Sequence, residues 1–218
     1  MTTMNPPVVS FDVDNTLAKR GSQMCELIND RYPDAELTTD DFTEWNFEVE
    51  GTGRGIGELI NEVLVEEPSC IRGMEPQERA VALTQELRDA GVTVQIVTHR
   101  PPETHERTKE WLETHGVQYS EFVEDVPRDK SRVSGDILID DHHRNVADMV
   151  DAGETGVLVL QLYNQHEIPD RSGFRVPSEK MQKDVDELVQ SDEQWAGIRE
   201  IVLEEAGVWT PELSARAV

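Results

Sequence analysis

The sequence predicts an α/β fold: a Rossmann-like, doubly wound parallel sheet with helices on both faces and a small helical cap inserted after the first strand. Three observations lead there. Short β-branched runs alternate with amphipathic helical stretches; acidic or hydroxyl residues stand at the C-terminal tips of three of those runs; and about sixty residues without a strand pattern separate the first run from the second. In a sheet of this kind ligands bind beyond the carboxyl ends of the strands, so the tips are where chemistry is expected.

The first run, residues 7–11, is apolar and β-branched and breaks off into Asp12-Val13-Asp14-Asn15, which reads as a buried strand delivering acids to its tip. Two helical patterns follow, roughly 22–31 and 55–66, joined by a loop that carries Phe42, Trp45, Phe47 and four glycines. Residues 18–75 are therefore read as the cap, and residues 1–17 with 76–218 as the core. Periodicity over 79–90 predicts a helix that Gly91 stops, and the β-branched run 92–97 predicts the second strand. A third strand is expected over 136–139, a helix over 145–152 and a fourth strand over 156–160. Beyond Tyr163 two more helices are expected, about 178–189 and 192–206; in the second, Trp195, Ile198, Ile201 and Val202 are spaced to pack on the core.

Composition narrows the function classes. The chain has 218 residues, enough for one core of ordinary size plus an insertion. No stretch approaches the ~20 apolar residues of a membrane helix, and the first residues lack the apolar run of a secretory signal, so a soluble cytoplasmic protein is expected. Cys25 and Cys70 stand alone, without metal-ligand or disulfide spacing. The 20 Lys and Arg against 45 Asp and Glu give a net charge of −25, which opposes nucleic acid and anionic membranes as partners. The acids are scattered through patterned segments rather than gathered in a tail. A halophile's surface is the reading this suggests, because molar salt shortens the Debye length to ~3 Å and removes most of the self-repulsion.

The sharpest chemical signal is Asp12-Val13-Asp14-Asn15-Thr16-Leu17. Residues two apart in an extended segment point the same way, so both carboxylates can face one crevice. Two carboxylates about 4 Å apart repel by ~4 kcal/mol at an effective dielectric of 20, a cost that calls for a cation. A capped turn would explain this pair alone, as it would explain Asp140-Asp141 after the third strand. Thr98 at the second tip could equally be a helix cap, and Lys130 a solvated side chain, while His99 borders the cleft by position. All four motifs falling in order at the same edge of one sheet is harder to explain without a shared site.

That order resembles the haloacid dehalogenase superfamily of phosphohydrolases over about residues 7–160. Ile139-Asp140-Asp141, Tyr163-Asn164-Gln165-His166 and the early helical cap resemble its 5'(3')-deoxyribonucleotidase branch, cytosolic type C. Asn15, where many members have Gly, is a departure that left-handed backbone geometry tolerates. The resemblance implies a phosphoric monoester hydrolase in which Asp12 attacks phosphorus and Asp14 serves as acid and then base. It implies Mg²⁺ held by Asp12, the backbone carbonyl of Asp14 and one of Asp140 or Asp141, with Thr98, His99 and Lys130 binding phosphate. A nucleotide is the implied substrate, and Phe42, Trp45 and Phe47 are candidates for stacking its base. Three alternatives stand beside it: a polynucleotide 3'-phosphatase, a phosphatase for phosphosugars or phosphoglycolate, and a non-catalytic phosphate-binding module.

Overall fold

The structure, a computed structural model, describes residues 6–164, 173–176 and 191–208. Strand β1 (Val8–Phe11) is followed by β2 (Ala18–Lys19), α1 (Gly21–Arg31), the hairpin of β3 (Glu48–Val49) and β4 (Arg54–Gly55), α2 (Ile56–Glu66), α3 (Pro68–Gly73) and β5 (Glu75–Pro76). Then come α4 (Glu78–Asp89), β6 (Thr93–Ile96), α5 (His105–Thr114), β7 (Glu121–Phe122), β8 (Ile137–Asp140), α6 (His143–Asp151), β9 (Thr155–Leu158), β10 (Phe174–Arg175) and α7 (Asp192–Glu205).

Six strands form one parallel sheet in the order β10-β9-β8-β1-β6-β7. The chain leaves β1 for β6 on one side and returns to β8 on the other, which makes the tip of β1 the switch point of the sheet. Val9, Phe11, Val94, Ile96, Ile137 and Ile139 are fully or almost fully buried, as expected of strands covered on both faces. Helices α4 and α7 pack together, while α6 covers β8 and β9.

The predicted elements recur with boundaries shifted by one or two residues, among them the helix stop, where Gly91 takes φ 83°. Helices α3 and α5 and strands β2, β3, β4, β5, β7 and β10 were not expected. The sequence of α5, HERTKEWLET, carries only Trp111 and Leu112 as large apolar residues, so its buried face is completed by His105 and Thr108. Two-residue strands such as β7 and β10 are too short to leave a period-2 pattern. The helix expected over 178–189 lies outside the described residues, as do Gln165 and His166.

Strands β2 and β5 pair antiparallel, Ala18 opposite Pro76 and Lys19 opposite Glu75, so the segment between them departs and returns through one two-stranded stalk. Within it, α1 and α2 pack together, with Met24, Cys25 and Ile28 buried on the first and Ile56, Leu59, Ile60, Val63 and Leu64 on the second. Cys25 and Cys70 are free and buried, and burial pushes both thiols up to about 11, in keeping with packing residues. Gly51, at φ 75°, brings its Cα so near the Asp34 carbonyl that a Cβ would stand 2.3 Å from that oxygen. Among the described residues no helix is long and apolar enough to cross a membrane.

Glu62 on α2 ties this helical segment together, accepting from Arg54, Arg31 and the Tyr32 hydroxyl at 2.6, 2.9 and 2.8 Å. Those donors, Arg54 first, hold its carboxyl down at about 2. A depressed folded-state pKa gives stability that is complete above the unfolded carboxylate range, near 4.3, and lost as pH falls toward the folded value. Glu62→Gln is therefore expected to melt lower than the native protein at neutral pH and to lose less of its melting temperature between pH 4.5 and pH 2. Circular-dichroism melts of both proteins across that range check it; parallel curves would show that the cluster contributes nothing.

Candidate active site

Strands β8, β1 and β6 are neighbours, so their tips lie side by side at the ~4.8 Å spacing of a sheet, and each carries a predicted site residue. Asp12 follows β1, Asp140 ends β8 with Asp141 directly after it, and Thr98 stands two residues beyond β6. Asp12, Thr98, Asp140 and Asp141 are 6%, 2%, 0% and 2% exposed. Carboxylate oxygens of Asp12, Asp140 and Asp141 all lie within 4.8 Å of one another.

Lys130 arrives from the segment between β7 and β8 and is buried, its ammonium 2.7 Å from both Asp12 Oδ1 and Asp140 Oδ2. Its loop is fastened to the sheet from below. The Gln95 amide on β6 donates to the Val133 carbonyl at 2.8 Å and to Ser10 Oγ at 2.9 Å, and Ser10 Oγ accepts from Gly135 N at 3.0 Å. Asp129 begins the turn by accepting from Ser131 N. A long flexible side chain is thus held over the first strand by polar residues of the strands themselves.

One cation among three buried carboxylates leaves an excess of negative charge. Burial raises the Asp12 pKa, Lys130 lowers it, and Asp140 and Asp14 raise it further, with a net upward shift. Asp141 is pushed up more strongly, by burial and then by Asp140 and Asp12. For Lys130, burial is outweighed by Asp12 and Asp140, so its ammonium is held above the ordinary lysine range. An all-oxygen donor set with surplus charge suits a hard divalent cation of the magnesium type. The two acids of the pair differ. Both oxygens of Asp140 are taken, Oδ1 by His142 N and Oδ2 by Lys130 and Asn145, whereas the Asp141 bonds from Tyr163 OH and Asn15 Nδ2 both fall on Oδ2. Among the described residues, Oδ1 of Asp141 accepts no hydrogen bond.

Asp14 is placed differently from the other acids. Arg100, whose side chain is fully buried, grips it with two parallel bonds, Nε to Oδ2 at 3.0 Å and Nη2 to Oδ1 at 2.9 Å. Burial alone would raise this carboxyl; Arg100 more than offsets it and holds it at about 2. Arg100 is fixed in turn by Thr108 and the Met74 sulfur. Asn15, at φ 54°, takes the left-handed geometry expected of it, and its side chain donates to Tyr163 OH at 2.8 Å and accepts from Arg20 N at 3.3 Å.

Thr98, Lys130 and the four acids line one cleft of about 250 Å³. His99 lies at its edge, exposed, with Nε2 2.9 Å from the Pro127 carbonyl, so that nitrogen is engaged away from the carboxylates. The opposite wall is the face of α2 bearing Gly57, Ile60, Asn61 and Leu64, together with Trp45. Trp45 is 39% exposed and meets His142 edge-on, ring centres 3.9 Å apart. Phe42 instead lines a second cavity of about 120 Å³, and Phe47 packs edge-on against Phe42 without lining either space. Of the three aromatic candidates, then, only Trp45 reaches the cleft of the carboxylates.

Sequence reasoning gave no role to Arg20, Arg100 or Asn145, all of which line the cleft. Arg100 lies two residues past Thr98, and an arginine directly before a proline at a strand tip was the available signal. Arg20 and Asn145 left none, because their places depend on how α1 and α6 start relative to the sheet.

A family model described as "5' nucleotidase, deoxy (Pyrimidine), cytosolic type C protein" matches residues 6–180. No curated protein sequence matches the chain. Among solved structures, a HAD-family hydrolase from Deinococcus radiodurans with bound phosphate and sodium is 16% identical, with a TM-score of 0.53 over 95% of this chain and 100% of that one. A phosphonoacetaldehyde hydrolase-like protein from Oleispira antarctica is 12% identical, with a TM-score of 0.51 over 94% and 86%. A HAD hydrolase from Entamoeba histolytica is also 12% identical, at 0.51 over 78% and 91%. At these identities the three structures speak for the fold alone, a haloacid dehalogenase-like α/β sheet.

Proposed function

The chain belongs to the 5' nucleotidase, deoxy (pyrimidine), cytosolic type C family and is thereby a phosphoric monoester hydrolase; from that premise we propose that it releases phosphate from nucleoside monophosphates through an aspartyl-phosphate on Asp12. The observation that carries the reading is the convergence of Asp12, Asp140, Asp141, Lys130 and Thr98 on one buried point at three adjacent strand tips. The family's description names pyrimidine deoxynucleotides, and we take these as the first substrates to try.

Asp12 attacks phosphorus in line, and the ester oxygen leaves on the opposite side. Lys130 and the Thr98 hydroxyl hold the oxygens of the phosphoryl group as negative charge shifts onto them, the largest contribution a preorganised site makes. Asp14, kept ionised by Arg100, can only accept a proton as it stands, which is the role needed when water attacks the phosphorylated Asp12. Protonating the leaving oxygen in the first step requires Asp14 to carry a proton, and so requires the Arg100 grip to loosen when substrate enters. Asp12, the Asp14 carbonyl and Asp141, which has an oxygen free of hydrogen bonds among the described residues, would hold magnesium, and the metal would neutralise phosphoryl charge. Asp140 then serves to seat Lys130 and Asn145.

Residues 18–75 act on this reading as a cap over the core of 1–17 and 76–218, and Trp45 offers a face on which a base can stack. The acidic surface is matched to a cytoplasm of high salt, so molar KCl is the medium for assay.

The test is phosphate release in molar KCl with MgCl₂, and again with chelator, from deoxyribo- and ribonucleoside monophosphates, phosphosugars and phosphoglycolate, and 3'-phosphorylated DNA ends. Magnesium-dependent release from nucleotides above the rest is expected. Preference for sugars or DNA ends would overturn the substrate, and the absence of release from every ester would overturn the enzyme reading in favour of a binding module.

A further inference from the structure

Arg20 is the cation of this site that the mechanism leaves without work. Lys130 is paired with Asp12 and Asp140, and Arg100 with Asp14, but among the described residues the Arg20 guanidinium makes neither an ion pair nor a side-chain hydrogen bond. Burial opposes its charge, and Asp14, Tyr163, Asp141 and Asp12 nearby more than offset that, yet none of them takes a hydrogen bond from it, so its donors are left free for a ligand.

Its position gives it a use. Arg20 lines the cleft of the carboxylates, about 250 Å³, and it also lines the neighbouring cavity of about 120 Å³; among the described residues it is the single one common to both. Neither space alone reaches the roughly 300 Å³ at which small-molecule sites begin, so a ligand longer than a phosphate group has to pass Arg20 to use both. The second cavity suits the far end of such a ligand, with Phe42, Met24 and Leu162 as apolar walls and Thr39 and Gln161 as polar ones. Lys130 stands with Asp12 and Asp140, on the phosphoryl side, whereas the carboxylate acting most strongly on Arg20 is Asp14, the one that serves the leaving oxygen.

We propose that Arg20 is a specificity-determining residue that binds the leaving group, donating its N–H fork to an oxygen acceptor beyond the ester bond as the substrate extends into the cavity lined by Phe42. A guanidinium offers five donors and no acceptor, so it selects a leaving group rich in oxygen: a sugar hydroxyl or a ring carbonyl in a nucleotide. This rests on the nucleotidase reading for the identity of the leaving group, but not for the distinction between leaving group and phosphoryl group.

The experiment compares the native protein with Arg20→Met and Arg20→Lys on two substrates: the best natural ester from the panel above, and p-nitrophenyl phosphate, whose leaving group carries no comparable oxygen near the ester. Loss of a charge-assisted hydrogen bond of ~1.5–3 kcal/mol predicts a fall of roughly 10- to 150-fold in kcat/KM for the natural ester, mainly in KM, for Arg20→Met. Arg20→Lys should recover part of it. Hydrolysis of p-nitrophenyl phosphate, and its inhibition by inorganic phosphate, should change by less than about threefold in either variant. Equal losses on both substrates with weaker phosphate inhibition would overturn the proposal by placing Arg20 on the phosphoryl group, and unchanged kinetics on both would overturn it by removing Arg20 from the substrate. Circular-dichroism melts show whether a variant is folded, and Arg20→Lys, which keeps the charge, carries the comparison if Arg20→Met is not. A native protein inactive on every ester overturns the proposed function instead, a result separate from either outcome for Arg20.

Discussion

Asp12→Asn is expected to abolish phosphate release, with a loss of at least about 10⁴-fold at saturating substrate and magnesium. The size follows from the chemistry. Phosphate monoesters are among the slowest substrates to hydrolyse unaided, with accelerations up to ~10²¹ known, and removing the atom that attacks phosphorus removes the route itself rather than one contribution to it. Asparagine is nearly the same shape, and it also relieves one of the charges that push up Asp141, so the variant should fold at least as well as the native protein. Steady-state phosphate release together with a melting curve checks both halves. A stable variant with native activity would remove Asp12 from the chemistry.

Lys130→Met is expected to damage stability and activity together. The ammonium is 1% exposed and is the direct partner of two buried carboxylates, so its removal leaves Asp12 and Asp140 uncompensated. Breaking a buried pair from one side costs about 3–5 kcal/mol, and at ~2–4 °C per kcal/mol for a chain of this size the melting temperature should fall by roughly 10 °C. The sign of the pH dependence is fixed by the same charges. Without Lys130 the folded-state pKa of Asp12, already raised, rises further above the unfolded one, so the variant is most stable when Asp12 is protonated and loses stability as pH rises through that value. The gap between native and variant should thus be wider at pH 8 than at pH 6 and should shrink when MgCl₂ is added, because the metal replaces the missing charge. Activity should fall about 10²- to 10³-fold, the usual cost of losing one donor to a developing oxyanion. Melts at both pH values, with and without metal, decide it, and a gap independent of pH and metal would mean that Lys130 is not the balancing charge.

The legible part of this protein was its frame. Four of the six parallel strands could be read as short apolar runs, and the order of Asp12, Thr98, Lys130 and Asp140-Asp141 because three of those runs end in acidic or hydroxyl residues that a buried strand does not tolerate internally. Adjacency was not legible in the same way. That β8, β1 and β6 are neighbours is a property of the switch point, and only adjacency turns separated motifs into oxygens within 4.8 Å of one another. Side-chain commitments were the least legible. The Arg100-Pro101 step at a strand tip hints at Arg100, which grips Asp14, but no comparable local signal marks Arg20, whose guanidinium makes no ion pair among the described residues; and Phe42, Trp45 and Phe47, alike in sequence, part company because the loop that carries them turns toward two different cavities.

The central claim, that Asp12 carries the phosphoryl group, is tested most directly in Asp14→Asn with p-nitrophenyl phosphate. Its leaving group needs no proton, so phosphorylation of Asp12 should proceed, while the base for the second step is gone and the phosphorylated protein should accumulate. One equivalent of p-nitrophenolate released in a burst, with a phosphoryl group on the peptide containing Asp12 after acid quench and mass spectrometry, is the predicted result. Continuous turnover at the native rate, with Asp12 unmodified, would contradict it.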